Sequence, residues 1–264
     1  MLIEVNNVTK SFKKDDSWLF PSYQHVLNGV SISVSEGECV GIVGESGSGK
    51  STLGKVILGL ESPDSGAVIL GDAIANLPTY QALSVVFQDY NTSVNPRLTI
   101  REIINEPLVI EKASKTERDK QLTLLLEEVG LATDMLDRYP HQLSGGQLQR
   151  VCIARAIAPN PKFILLDEAV SSLDVSVQVQ VLDLLQKLKQ QRKMSYVFIT
   201  HDIAVASFLC DRLMFFKDGK IVEQVDDMRE LKNVRDPYTK ELLEAAGYLE
   251  IPFETEFTDN EFIS

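Results

Sequence analysis

With 264 residues the chain has length for one or two domains with a sizeable core, and its 44% hydrophobic content is that of a globular protein, not a disordered one. Its 26 Lys and Arg against 38 Asp and Glu leave a net charge of −12, which argues against a nucleic-acid partner, because such binding needs a basic face. Three cysteines (Cys39, Cys152, Cys210) without CxxC spacing exclude a disulfide framework or zinc site and point to a reducing, cytosolic setting. No apolar run approaches the roughly 18 residues of a membrane-spanning helix, and Met1-Leu2-Ile3-Glu4-Val5 lacks the features of a signal peptide.

Residues 2–5, 31–35 and 67–70 are short and β-prone, separated by turn-rich stretches such as Ser62-Pro63-Asp64-Ser65-Gly66, and predict an opening layer of antiparallel strands. Cys39 to Val43 reads as a buried strand feeding a glycine-rich turn, after which Leu53, Val56, Ile57 and Leu60 fall on one helix face. The charged segment of about 97–140, with Leu122, Leu125, Leu126 and Val129 at helical spacing, predicts a helical insert. Phe163 to Leu166 and Tyr196 to Thr200 are strand-like, and Val177, Val181, Leu184, Leu185 and Leu188 mark a helix between them. Alternating strand and helix implies a parallel sheet covered on both faces. Lys217-Asp218-Gly219-Lys220 between two apolar runs is a hairpin signal, and the tail from Glu250 to Ser264 is acidic and aromatic, suited to mobility or to docking on a partner.

Gly44-Glu45-Ser46-Gly47-Ser48-Gly49-Lys50-Ser51 fits G-x-x-x-x-G-K-[ST] and lies between a predicted strand and helix, the context that motif requires. Its amides and the helix start would surround phosphate oxygens, Lys50 would reach the β- and γ-phosphates of ATP, and the Ser51 hydroxyl would hold Mg²⁺. Asp167-Glu168 ends an apolar strand, where open α/β sheets place their ligand chemistry. Asp167 would support the Mg²⁺ shell and Glu168 would act as general base on the attacking water, although acids favoured by a helix start explain the pair as well when it is taken alone. Leu143-Ser144-Gly145-Gly146-Gln147 offers Ser144 as an N-cap, and exposed glycine amides at a positive helix end, hence a second phosphate site. If that site cannot reach the first within one chain, two chains must pair head to tail around ATP.

Lys50, Gln88, the run at 143–147, Asp167-Glu168, Ser171-Ser172-Leu173-Asp174 and His201 together resemble the nucleotide-binding subunit of an ABC transporter, over about residues 1–246. The resemblance implies a P-loop (RecA-like) α/β core with a parallel sheet, an N-terminal antiparallel β subdomain, a helical subdomain at about 97–155, and a separate tail at 247–264. It implies that phosphate contacts extend to Thr52, that Gln88 contacts Mg²⁺ and the lytic water, that the loop after Gln88 touches the membrane partner, that Asp174 communicates across a dimer, and that His201 contacts the γ-phosphate. Without the family pattern, the favoured reading of Gln88 and His201 is that of polar residues that end strands. Phe12 lies where the family carries an adenine-stacking aromatic, yet a core role is open to it, and Trp18, Phe20 and Tyr23 sit in a long stretch nearby. His25, His141 and the cysteines read as surface or packing residues.

Gln88-Asp89, Asn95-Pro96-Arg97, Gln147-Leu148-Gln149-Arg150 and Asp236-Pro237-Tyr238-Thr239 resemble the second ATPase subunit of peptide and nickel importers. That branch implies transmembrane permease subunits, a second and non-identical ATP-binding subunit, an external substrate-binding protein acting indirectly, and a place at the cytoplasmic face of the membrane. Tyr90 departs from the family's common Pro, and the short C-terminal extension without cysteines implies no iron–sulfur cluster. Ala169-Val170 and that shortness look more like the nickel branch. Competing readings are an exporter or DNA-linked ATPase of the same superfamily, a P-loop kinase, and a regulatory subunit that does not hydrolyse ATP.

Overall fold

The computed structural model describes residues 1–14, 22–110 and 114–248. Three strands, β1 (Ile3–Lys13), β2 (Tyr23–Val34) and β4 (Ser65–Leu70), form an antiparallel sheet in the order β2-β1-β4. A second, six-stranded sheet is built from β3 (Cys39–Val43), β5 (Leu83–Val86), β6 (Phe163–Asp167), β7 (Ser195–Thr200), β8 (Arg212–Lys217) and β9 (Lys220–Val225). Its order is β5-β6-β7-β3-β8-β9, parallel throughout except for the final β8–β9 hairpin.

Alternation along these strands divides the core into two layers. Val40, Ile42, Leu165, Val197, Ile199, Met214 and Phe216 point to one side, where α1 (Lys50–Ile57) is sandwiched against the antiparallel sheet through Leu53, Val56 and Ile57. Their neighbours Ile164, Leu166, Tyr196, Phe198, Leu213 and Phe215 point to the other side. There they meet α4 (Ile100–Ile110), α5 (Lys115–Glu128), α6 (Gly145–Ile157), α7 (Val175–Arg192) and α8 (Ile203–Leu209). Two single-turn helices, α2 (Asp72–Ala75) and α3 (Thr79–Ala82), lead into β5, and α9 (Pro237–Ala245) follows the sheet. Burial on both faces explains why β3, β6 and β7 read as unbroken apolar runs. Among the described residues no helix is long and apolar enough to cross a membrane.

Several expectations need adjustment. The first strands are much longer than 2–5 and 31–35, because the segment Lys10–Lys13, half-buried to exposed and without apolar alternation, continues the pairing with Tyr23–Leu27. Leu60, expected on the helix face, lies outside α1 and is exposed, since the chain leaves the helix at Leu58 and turns through Gly59 at φ +71°. Phe12 is 38% exposed, which removes its core reading; the Lys10 ammonium lies 5.2 Å from its ring centre. Trp18, Phe20 and the tail from residue 249 onward lie outside the described residues. The three cysteines are buried, whereas His25 and His141 are exposed, His141 stacking on Tyr139.

Candidate active site

Four adjacent parallel strands deliver the chemistry to one sheet edge. In the order β5, β6, β7, β3, their carboxyl ends lead to Gln88, to Asp167-Glu168, to His201 and to the loop opening at Gly44. Register makes the alignment close: Val86 pairs with Leu166, so Gln88 and Glu168 each lie two residues past a matched pair, and Val43 pairs with Thr200, so Gly44 and His201 each lie one past.

The loop from Gly44 to Gly49 is wedged between strands. A β-carbon on Gly44 would come within 2.1 Å of the Phe216 carbonyl oxygen, and Gly49 caps α1 at φ +110°, a conformation L side chains rarely adopt. Lys50 opens α1 with only 4% of its surface exposed, and its ammonium donates to the carbonyls of Gly44 at 2.7 Å and Glu45 at 2.6 Å. Burial pushes its pKa down, while Glu168, Asp167 and Glu45 pull it back up. Beside it, the Ser51 hydroxyl donates to Asp167 Oδ1 at 3.0 Å. Asp167 is 8% exposed, and that burial raises its pKa above the ordinary range, with the Ser51 bond opposing.

Glu168 leaves the sheet in a left-handed conformation, φ +48°, after its amide has bonded to the Ile199 carbonyl at 2.9 Å. For a non-glycine residue this is a strained geometry of the kind held in place by its surroundings. Those surroundings converge on one carboxylate oxygen: Gln88 Nε2 donates to Oε2 at 2.8 Å, Ser171 Oγ at 3.3 Å, and His201 Nδ1 stands 3.6 Å away. Gln149, fully buried on α6, donates to the Ala169 carbonyl at 2.6 Å and so supports the residue next to Glu168.

The 143–147 run begins α6 as a capping box, in which Ser144 Oγ accepts the Gln147 amide and the Gln147 side chain accepts the Ser144 amide. Gly145 is seated against the Tyr90 hydroxyl and Gly146 against Val177 near the start of α7. Asp174 caps α7, accepting the Val177 amide at 3.0 Å and the Ser176 hydroxyl at 2.7 Å, and these bonds lower its pKa. Because α6 packs on the edge strand β5 while the loop leaves β3, three strand spacings, or roughly 14 Å, separate their anchor points. The side-chain bonds of Ser144 run to Gln147 within its own helix start.

Sequence reasoning gave no role to Gln149, Ser171 or Tyr238. Tyr238 entered only within the Asp236-Pro237-Tyr238-Thr239 run that carried the resemblance; its hydroxyl accepts the Glu45 amide of the loop at 2.9 Å.

The ABC transporter family model matches residues 27–171. The metal-staphylopine import system ATP-binding protein CntF of Staphylococcus aureus is 46% identical, the match covering 92% of this chain and 98% of that protein. The oligopeptide transport ATP-binding protein OppF of Streptococcus mutans is 41% identical over 92% of this chain and 81% of its own length, and the nickel import ATP-binding protein NikE of Rhodospirillum rubrum is 44% identical over 75% of each. Among solved structures, a dimeric ATP-binding cassette in a post-hydrolysis state bound to ADP and Pi superposes with a TM-score of 0.74 at 34% identity, covering 85% of this chain and 98% of that one. A family match over more than half the chain, relatives above 40% identity and a phosphate loop facing a strand-end acid pair together establish that this chain belongs to the ABC transporter family, as one of its ATP-hydrolysing subunits.

Proposed function

We propose that the chain powers a membrane importer of nickel or other metal complexes, or of oligopeptides, from the cytoplasmic face of the membrane. It binds transmembrane permease subunits and pairs with a second, non-identical ATP-binding subunit, while an external substrate-binding protein delivers cargo. Residues 1–246 form the ATP-binding domain, with a helical part at about 97–155, and 247–264 form the acidic tail. The observation that carries the hydrolytic reading is the convergence of Gln88, Ser171 and His201 on Glu168 Oε2, beside Lys50 and the Ser51–Asp167 pair. The metal-complex branch is favoured by the near-complete mutual coverage with the metal-staphylopine import protein, whereas the oligopeptide protein extends beyond the match.

In this reading the loop amides from Gly44 through Thr52, including those of Glu45, Ser46, Gly47, Ser48 and Gly49, cradle the ATP phosphates at the α1 start. Lys50, held by neutral carbonyls, transfers its bonds to the β- and γ-phosphates, which accept them as charge-assisted and stronger. Ser51 Oγ, Asp167 and the side-chain oxygen of Gln88 are hard oxygen donors suited to Mg²⁺, which is usually held by one or two carboxylates together with phosphates and water. Among the described residues no cluster of three or more His, Cys, Asp or Glu forms a self-sufficient metal cage, in keeping with a metal brought by the nucleotide. When bound, Mg²⁺ neutralises charge that develops on the phosphates. Glu168 takes a proton from the attacking water as its oxygen bonds to the γ-phosphorus and the bond from that phosphorus to the β–γ bridging oxygen breaks, the bridging oxygen leaving with ADP; Gln88 and His201 fix that carboxylate and the γ-phosphate. Phe12, exposed on the long β1–β2 arm, stacks on adenine. Ser144, Gly145, Gly146 and Gln147 complete the partner subunit's ATP, and Asp174 relays between subunits.

Affinity purification of the chain from its native membranes, with identification of the bound polypeptides, tests the assembly. Recovery of permease chains with a second, different ATPase supports it, and recovery without permeases removes the importer reading. Uptake of a nickel chelate or a labelled peptide by the reconstituted complex then decides the cargo.

A further inference from the structure

We propose that Tyr238 is a positioning residue for the phosphate loop, its phenol oxygen fixing the Gly44–Glu45 peptide in the orientation that nucleotide binding requires. The inference rests on the reading of that loop as the ATP site. The Glu45 amide donates to Tyr238 Oη at 2.9 Å, and the carbonyl of the same planar peptide, Gly44 O, accepts the Lys50 ammonium at 2.7 Å. One rigid unit is therefore gripped at both ends. The ammonium polarises the peptide and strengthens its N–H as a donor to the phenol. When phosphate draws Lys50 away, Tyr238 is the grip that stays, so the loop does not have to re-form around its ligand.

The tyrosine is itself held from three directions. It is 5% exposed, the Lys217 ammonium lies 4.3 Å from its ring centre, and its helix is capped by Asp236, which accepts the amides of Tyr238 and Thr239 at 3.0 and 3.1 Å. One step earlier, the Glu223 carboxylate of β9 accepts the amides of Arg235 and Asp236, at 2.6 and 3.2 Å. The same hairpin reaches the loop again where the Gly219 amide donates to Ser48 O at 3.0 Å. The loop is thus braced at Glu45 and at Ser48 by elements that lie beyond the segment matched by the family model. Order in α9 is thereby connected to the competence of the nucleotide site.

Tyr238→Phe removes the oxygen and keeps the ring. Amide exchange of the 44–52 segment in the full chain without nucleotide reads the brace, and titration with a fluorescent ATP analogue reads its consequence. The expected result is faster exchange at Glu45 and an affinity loss of about three- to tenfold, the scale of one hydrogen bond, with ATPase KM rising and kcat little changed. Lys217→Met, which frees the ring but leaves the phenol, gives a smaller change of the same sign. Unchanged exchange in both variants overturns the brace. Faster exchange with unchanged affinity overturns its role in binding and leaves Tyr238 a packing residue. A wild-type chain that binds no ATP overturns the ATP-site reading instead, while the exchange comparison still reports on the contact.

Discussion

Gly146→Ala tests whether the start of α6 is wedged against the start of α7. A β-carbon on Gly146 falls 2.3 Å from Val177 Cγ1, well inside contact distance. Val177 is β-branched and its amide is pinned to Asp174 Oδ1 at 3.0 Å, so neither a rotamer change nor a backbone shift relieves the clash freely. Overpacking of this kind costs about 1–3 kcal/mol, and a Gly→Ala exchange in a helix returns about 0.5–1 kcal/mol, leaving a net destabilisation of roughly 1 kcal/mol. Val177→Ala deletes two methyl groups from a half-buried side chain, again about 1 kcal/mol. In the double variant the new methyl occupies the vacated space, so the total falls short of the sum by about 1 kcal/mol. Urea unfolding of the four full-length chains measures this coupling, and ATPase assays of the same set report whether the two helix starts act together. Simple additivity, or a Gly146→Ala chain as stable as wild type, would refute the wedge.

Glu168→Gln keeps ATP affinity but lowers turnover by about 10²–10⁴, the usual contribution of a positioned base; undiminished phosphate release, with contaminating ATPase excluded, removes Glu168 from the mechanism. Lys50→Ala weakens nucleotide binding itself, which equilibrium titration with a fluorescent analogue checks. Asp167 is held above its ordinary 3.8 chiefly by burial, so the stability contributed by its protonated form is complete below that value and is lost as pH climbs through the raised folded pKa. Asp167→Asn should therefore raise the unfolding midpoint at pH 7 and flatten stability between pH 4 and neutrality while abolishing ATPase activity; a lowered midpoint contradicts the assignment of burial as the dominant effect.

What could be read in advance was whatever is local. The loop at 44–51, the strand-end acids and the capped helix at Ser144 are each specified by residues within a few positions of one another, so spacing alone located them. The parallel sheet was legible because strands buried on both faces are uniformly apolar. The β1–β2 arm was not, since Lys10–Lys13 pair through their backbone and their half-buried and exposed side chains show no alternation, and Leu60 misled because the helical spacing of apolar residues runs on past Ile57, where the helix ends. Nor could any local rule show that Gln149 supports Ala169 or that Tyr238 grips Glu45 across 193 positions. Such contacts depend on how separate elements dock.

The electrostatics of the docked site go further than either motif alone. Burial lowers the Lys50 pKa and raises that of Asp167, so each group is short of the solvation its charge needs, although the two lie close enough to influence one another. Their mutual attraction offsets only part of this, because each is shifted toward its neutral form despite the other. A ligand that matches both must bring an anion to the lysine and a cation to the aspartate. On the proposed function, a nucleotide triphosphate carrying its divalent metal would do so in one molecule and relieve two under-solvated charges at once. The same reasoning predicts that ATP freed of divalent cation binds more weakly here, and that Asp167→Asn narrows this difference. Titrations with and without Mg²⁺ on both chains measure it, and an equal preference in wild type and variant would show that Asp167 is not the group the metal serves.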